Sequence, residues 1–277
     1  MFAISWRSSF LSVTAMQQVL DLDRCPIDRL DAPEARQLIE RCKAELAAHG
    51  MFNLPELIRA SVIDRCAAEL EPLIGTVAYT HKRRHNIYFR TDIDGLAPDH
   101  PALRQRDTIN HTLCGDQLAG TIVGRIYEWT PLADFLARVM DKPRLYLMAD
   151  PLARINVMGY RAGEALNWHF DRSEFTTTLL VQSPEGGGEF EYRSDLRTYD
   201  DPNYEGVGRL LRGEDDAVRS LPLKAGTLNV FKGRNTAHRV TPAVGDKQRI
   251  IAVFSYYERP GVQFSREERV GFYGRAE

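Results

Sequence analysis

The chain has 277 residues, 43% hydrophobic and 27% charged, a composition that can bury a full core and that excludes a disordered or fibrous polymer. With 36 Lys and Arg against 38 Asp and Glu the formal charge is -2, so no overall field draws the chain to a polyanion, and nucleic acid is set aside as a partner. Cys25, Cys42, Cys66 and Cys114 are scattered without a Cys-x-x-Cys pair, and no apolar run is long enough to span a membrane. The cysteines therefore read as free thiols, the expected location is the cytoplasm and no membrane partner is expected, while self-association as a homo-oligomer is left open.

Residues 1–15 carry one Arg and a short apolar patch, too weak for an export signal, and are read as a flexible arm or a mis-assigned start. Residues 16–277 are expected to form one domain, since no Gly/Ser/Pro linker or internal repeat divides them. A helical lead-in is predicted over 31–140. Its first helix opens with Asp31 as N-cap, carries Ala35, Leu38, Ile39, Cys42 and Leu46 on one 3.6-period stripe, and ends at Gly50. The second opens near Pro55-Glu56 and runs through Ile58, Val62, Ile63, Cys66 and Leu70; two more are predicted at Asp116 to Trp129 and Pro131 to Val139.

From Arg144 the texture changes to short β-rich runs: Leu145 to Met148, Arg154 to Tyr160, Phe175 to Gln182, Glu189 to Tyr192, Thr227 to Phe231 and Arg249 to Tyr257. Many short strands predict a mainly β fold with a helical flank: a sandwich or jelly roll over about 144–258, followed by a C-terminal tail at 259–277. The stretch 195–220, rich in Asp, Glu, Arg and Gly, reads as an excursion with one short helix, placed where a lid would be.

In Asn167-Trp168-His169-Phe170-Asp171-Arg172 the His and Asp are two apart, so on an extended segment both side chains share a face. His238, far downstream in Asn235-Thr236-Ala237-His238-Arg239-Val240, is the third candidate ligand. Two imidazoles and one carboxylate leave open positions on a metal, the arrangement of non-haem Fe(II) oxygenases. Structural histidines are the plain alternative for His-x-Asp alone. Arg249 shifts the balance: with Gly245-Asp246 as the turn of a hairpin, it is expected on a strand adjacent to His238, where a buried guanidinium needs an anionic partner. A bound dicarboxylate matches its planar fork. His81 and His85 could pair on a metal only if helical, and the basic run His81-Lys82-Arg83-Arg84-His85 makes a cation unwelcome there.

Three stretches together resemble the Fe(II)/2-oxoglutarate-dependent dioxygenases: Tyr160-Arg161-Ala162-Gly163-Glu164-Ala165-Leu166-Asn167-Trp168-His169-Phe170-Asp171, Gly186-Gly187-Gly188-Glu189-Phe190, and Gly226-Thr227-Leu228-Asn229-Val230-Phe231 through His238-Arg239-Val240 to Arg249. Within them, Asn-Trp-His-Phe-Asp followed by Gly-Gly-Glu-Phe-Glu is most similar to the branch of BesD/HalD-type free-amino-acid halogenases and their hydroxylase relatives. The resemblance implies a double-stranded β-helix, cupin-like, behind N-terminal helices, with Fe(2+), 2-oxoglutarate and O2 as cofactors. It implies His169, Asp171 and His238 as metal ligands and catalytic residues, and Arg249 on the distal carboxylate of 2-oxoglutarate. Asn156, Tyr160 and Thr178 are the further cosubstrate candidates, with Thr176 beside them. The halogenases have Gly where this chain has Asp171, which implies hydroxylation and no halide transfer. The expected substrate is a small polar metabolite, an amino acid or amino-acid-like compound, with Arg84, Arg90 and Trp168 as candidate contacts. A prolyl-type hydroxylase of protein side chains, which would show an open groove in place of a lidded cavity, a nucleobase demethylase, disfavoured by the charge balance, and a non-catalytic jelly-roll binding or sensor protein are the alternatives.

Overall fold

The computed structural model describes residues 13–90 and 92–277, so most of the expected arm at 1–15 lies outside the described residues. A helical turn, α1 (Val13–Gln17), precedes α2 (Pro33–His49), which buries Ala35, Ile39, Cys42 and Leu46 as its periodicity predicts. The N-cap is Ala32 and not Asp31, and it makes no side-chain cap bond. Pro33 at the first helical position holds the residue before it extended, which places Asp31 one position too early to cap. Gly50 ends the helix with φ 72°, a left-handed conformation open to glycine at no cost.

The second predicted helix starts later than expected, because β1 (Met51–Leu54) is a strand and the chain turns before α3 (Ala60–Thr76) begins. The helical lead-in also holds β2 (Tyr79–His85) and β3 (Arg106–Leu113), so it is not purely helical. The stretch predicted as one helix from Asp116 divides into a 3-10 turn, Gly115–Leu118, and α4 (Ile122–Glu128), capped by the Thr121 hydroxyl accepting from the Gly124 N–H; α5 (Thr130–Val139) follows with Pro131 in its first turn.

The β-rich part runs β4 (Tyr146–Leu147), β5 (Ile155–Tyr160), β6 (Leu166–His169), β7 (Thr176–Gln182), β8 (Gly186–Gly187) and β9 (Phe190–Arg193). The 195–220 excursion carries one helix, α6 (Tyr204–Arg212), and leads into β10 (Arg219–Leu221). Then come β11 (Leu228–Phe231), β12 (Ala237–Val240), β13 (Ala243–Val244), β14 (Arg249–Phe254), β15 (Tyr256–Tyr257) and α7 (Arg266–Tyr273). A major antiparallel sheet has the order β1-β11-β7-β14-β5-β3-β2, and a minor sheet the order β10-β9-β12-β6. From β5 to β14 the chain passes repeatedly between the two sheets, with β9 and β10 neighbours in the minor one and β8 and β13 paired apart from both, which is the jelly-roll connectivity.

Alternation along the strands divides the major sheet's residues between two cores. Val157, Leu179, Val181, Leu228, Val230, Ile250, Ala252 and Phe254 point outward under α2 to α5, in the main hydrophobic core. Asn156, Met158 and Tyr160, together with Arg249, Ile251 and Val253, point inward between the sheets. The C-terminal segment, expected as a tail, is tied back by Asp150, a carboxylate with no exposed surface. Its Oδ1 accepts from the Leu152 and Ala153 N–H groups at 2.9 Å each, and its Oδ2 from the Phe264 N–H at 2.9 Å and the Arg269 Nε at 2.8 Å. Burial alone would raise this carboxyl; the amides of Ala153, Phe264 and Leu152 and the Arg269 guanidinium outweigh it and hold the group below its usual range.

Asp150→Asn is expected to cost about 2 kcal/mol at neutral pH, because it leaves the partly buried Arg269 without its anion. A carboxyl lowered on folding adds stability above its ordinary range and loses it as the pH falls through the folded value. The gap between wild type and Asp150→Asn in urea midpoint should therefore be full at pH 7 and shrink below roughly pH 4; a gap that is constant with pH would show that the carboxylate charge is not what anchors the segment.

Candidate metal centre and cavity

Antiparallel pairing of β12 with β6 sets His238 directly opposite His169, their ring centroids 4.0 Å apart. Each Nδ1 lies against a main-chain carbonyl two residues earlier, Asn167 O at 2.8 Å for His169 and Thr236 O at 3.0 Å for His238. A carbonyl only accepts, so each Nδ1 carries the proton and each Nε2 lone pair is free. Both Nε2 atoms point at one carboxylate: His169 Nε2 is 3.4 Å from Asp171 Oδ1, and His238 Nε2 is 3.4 Å from Asp171 Oδ2. The three ligand atoms lie within 4.8 Å of one another, and among the described residues no other group of three or more His, Cys, Asp or Glu side chains could hold a metal in this way.

The electrostatics suit a cation. Burial, reinforced by His169, pushes His238 down to about 4 despite Asp171, so its imidazole is neutral at pH 7. Burial tends to raise Asp171, but His238, His169 and the Thr176 hydroxyl outweigh it, and the carboxyl stays well below the usual carboxylate range. Two imidazole Nε2 atoms turned toward one carboxylate are a ready donor set for a divalent ion. Thr176 donates to Asp171 Oδ2, and the Asp171 N–H donates to Gly233 O at 3.0 Å. Gly233 itself is required by closeness: a Cβ there would sit 2.2 Å from Thr176 Oγ1 and 2.6 Å from Asp171 Oδ2.

Arg249 is 1% exposed on the inner face of the major sheet. It is not on a hairpin partner of β12 as the Gly245-Asp246 turn suggested: β12 belongs to the minor sheet, and β14 pairs with β5 and β7. Its Nε donates to Gly188 O at 3.0 Å, while Nη1 is buried with no partner. Burial lowers it to about 10, partly countered by Tyr160, so it remains a cation at neutral pH without a carboxylate beside it. Tyr160 is its cross-strand partner, with the guanidinium carbon 5.8 Å from the ring centre. The Tyr160 hydroxyl meets only the thioether of Met158 at 3.5 Å, and burial raises it to about 12, so it stays a donor. A buried cation and a nearly unpartnered phenol together form a receptor for one carboxylate.

The other expected site residues divide. Thr178 is buried and donates to Asn229 O at 3.3 Å. Asn156 lines the cavity, but its amide is committed to Leu152 O, Ile155 O and the Tyr273 hydroxyl, so it shapes the wall and offers no free group. Arg90 lines the cavity. Arg84 does not: on β2 it is the alternate residues His81, Arg83 and His85 that face inward, so Arg83 takes the place foreseen for Arg84. Trp168 faces away from His169, into a second cavity on the outside of the minor sheet, where the Arg239 guanidinium covers its ring at 5.0 Å. His81 and His85 share a strand face, but His85 is engaged by Asn86 O and Thr108 Oγ1 and takes no part in a metal set. Sequence reasoning missed Asn229, whose buried amide has no partner, and Tyr273, Arg197 and Arg234 on the cavity wall. Only the alternation of β11 could have found the first; Arg197 and Arg234 come from segments without regular periodicity, and Tyr273 ends a helix in the stretch read as a tail.

His169 and Asp171 of the triad line a cavity of about 910 Å³ walled also by the inward residues of β2, by Ile87 to Arg90 and Ile93, by Thr198, Tyr199, Pro202 and Tyr204 of the excursion, and by Phe264, Phe272 and Tyr273 of the C-terminal segment. Gly233→Ala is expected to weaken divalent-metal affinity about 10- to 100-fold by displacing the Asp171 carboxylate, with little change in the far-UV circular dichroism. Calorimetric titration with Fe(II) or Mn(II) checks this; wild-type affinity would show that the close approach does not set the carboxylate's position.

Comparison with known proteins places this geometry in context. No curated protein matches the chain in sequence. Among solved structures it is similar to the non-heme alpha ketoglutarate dependent epimerase SnoN of nogalamycin biosynthesis, with 16% identity, coverage of 79% of this chain and 83% of the other, and a TM-score of 0.55. AviO1 from Streptomyces viridochromogenes Tue57 gives 16% identity, coverage of 80% and 96%, and a TM-score of 0.54. HygX from Streptomyces hygroscopicus, solved with nickel, 2-oxoglutarate and hygromycin B bound, gives 13%, 78%, 86% and 0.51 in the same order. At such identities the likeness is one of fold, and it agrees with the jelly roll described above. The family model described as halogenase D matches residues 34–268, which takes in the triad, Arg249 and the first turn of α7, and the chain therefore belongs to the halogenase D family.

Proposed function

We propose that the protein is an Fe(II)- and 2-oxoglutarate-dependent oxygenase that hydroxylates an unactivated C–H bond of a small polar metabolite. One observation carries the reading: the donor set His169, Asp171 and His238 shares the interior of the jelly roll with a buried guanidinium whose Nη1 has no partner. The residues fit both groups. His169, Asp171 and His238 would hold the iron, and Arg249 with Tyr160 would hold the distal carboxylate of 2-oxoglutarate. When bound, Fe(II) and 2-oxoglutarate supply activation of O2 coupled to decarboxylation of the cosubstrate, yielding succinate, CO2 and one oxygen atom for the C–H bond.

The chain's own part is placement. The carbonyls of Asn167 and Thr236 fix the tautomers of the two imidazoles, and Thr176 and the Asp171–Gly233 contact fix the carboxylate. Arg249 orients the cosubstrate, and the aromatic walls exclude water from the reacting centre. Asp171 favours hydroxylation over halide transfer, because the carboxylate occupies the position a halide would need. The size of the cavity beside the triad, about 910 Å³, supports a small molecule as substrate.

Three results test this reading. Anaerobic addition of Fe(II) and 2-oxoglutarate to the protein is expected to give the weak visible charge-transfer band of the chelate; absence of the band and of stoichiometric iron binding would end the proposal. Arg249→Ala should raise the 2-oxoglutarate concentration needed for half-saturation about 100-fold, and Tyr160→Phe about 10-fold, as loss of an ion pair and of one charge-assisted hydrogen bond require. In turnover at high chloride, product mass should show added oxygen and no halogen; a chlorinated product from the wild type would overturn the role given to Asp171.

A further inference from the structure

Between the two sheets one polar side chain has no part in the centre described so far. Asn229 on β11 is 1% exposed, and among the described residues neither its Nδ2 nor its Oδ1 has a hydrogen-bond partner. Its strand neighbours Leu228 and Val230 belong to the outer core, so alternation turns Asn229 and Phe231 inward. Asn53 stands opposite in register on β1 and does not complete the amide, because its own Oδ1 is also buried without a partner. A buried amide with both ends unmade is costly, and a fold keeps it where something that binds completes it.

Strand register places this amide next to the metal donors. Phe231, two residues along the same face, lies edge-on to His238 with ring centroids 4.7 Å apart. Thr178 is the cross-strand partner of Asn229, and Thr176, two residues from it, donates to Asp171 Oδ2. Asn229 is thus flanked, on its own strand and on the next, by residues that touch two of the three donors. The other polar side chains on this part of the inner face are engaged: Thr176 by Asp171, Thr178 by the Asn229 carbonyl at 3.3 Å, and Ser255 by Ala153 O at 3.0 Å. Asn156 is held by Leu152 O, Ile155 O and the Tyr273 hydroxyl. Only Asn229 has a free donor to offer.

Resting on the oxygenase reading above, we infer that Asn229 binds the keto-acid end of 2-oxoglutarate, its Nδ2 donating to the carboxylate oxygen there that does not face the metal. Arg249 and Tyr160 provide for only one of the two carboxylates of this cosubstrate. The other is carried into the interior beside the triad, where an anionic oxygen without a donor is strongly disfavoured. In the row Asn229, Thr178, Val253, the last residue is four positions from Arg249 on β14, about 13 Å along the strand. A long arginine side chain and a five-carbon dicarboxylate cover that span together. The distal donor is a cation, whereas the one at the metal end is a neutral amide, which fixes the oxygen without placing a positive charge beside a divalent ion.

Asn229→Leu, close to asparagine in shape, removes the amide, and Asn229→Ala serves as a second variant. For each, 2-oxoglutarate affinity is to be measured anaerobically with Fe(II) through the charge-transfer band, Mn(II) affinity without 2-oxoglutarate by calorimetry, and the melting temperature on metal-free protein. Both variants should bind 2-oxoglutarate about tenfold more weakly and shift the band maximum, with Mn(II) affinity unchanged. Asn229→Leu should also raise the melting temperature by about 2 °C, since two unmade hydrogen-bonding groups leave the interior. Wild-type 2-oxoglutarate affinity with an unmoved band in both variants would overturn the inference. A parallel loss of Mn(II) affinity would overturn it too, because the amide would then support the metal ligands and not the cosubstrate. A wild-type protein that gives no band would instead strike the oxygenase reading.

Discussion

His169 and His238 can share a metal only because β6 and β12 pair antiparallel with those two residues in register, and the rest of the molecule is arranged to keep that register. β12 is held on its other edge by β9, so the pair cannot slide without breaking a second ladder. A slip of one residue would turn His238 outward and put Arg239, now over Trp168, in its place. The third donor, Asp171, lies just past the end of β6 and has no ladder to fix it. Its position is set by Thr176, by the Gly233 carbonyl and by the lack of a side chain at Gly233. The local sequence around 233 is thus as much a part of the centre as the ligands.

The two faces of the major sheet do different work. Outward residues bind the helices into a large apolar core, which supplies the stability. Inward residues are in part polar and in part left unpaired, as with Asn229 and Arg249, a cost the apolar side can carry. Folds retain such groups where something binds to them; here the orphaned cation and the nearly free phenol of Tyr160 pair across strands of the major sheet, and the two histidines of the triad across strands of the minor one. The Asp150 anchor extends the same logic to the C-terminus: one buried carboxylate, fully hydrogen-bonded, brings Phe264, Phe272 and Tyr273 over the cavity and turns an apparent tail into a wall.

Membership of a halogenase family and an intact triad carboxylate pull in different directions, and the proposed hydroxylation rests on the carboxylate. Asp171 is held low, hydrogen-bonded and aimed between two imidazoles. Family membership describes the scaffold; the reaction depends on what occupies each position around the metal.

Much of this was legible in the sequence because it is local. The two-residue spacing of His169 and Asp171, the stripe Ala35, Ile39, Cys42 and Leu46, and most of the strands from Ile155 to Phe254 follow from periodicities of the backbone itself. His238 and Arg249 were named from residue chemistry and an expected hairpin, and motif resemblance then joined them to the His169 stretch, a link that no local pattern contains. What tertiary structure alone decided is direction and pairing. That Arg83 and not Arg84 faces the cavity depends on how the edge strand β2 docks on β3. That Met51–Leu54 is a strand depends on an edge offered by β11, more than a hundred residues away. That Arg249 lies opposite Tyr160 and off the His238 hairpin depends on strands exchanging sheets. Periodicity is a property of neighbours in the chain and could be read directly; the charge and shape of the cavity are properties of neighbours in space, fixed only when the two sheets closed on each other.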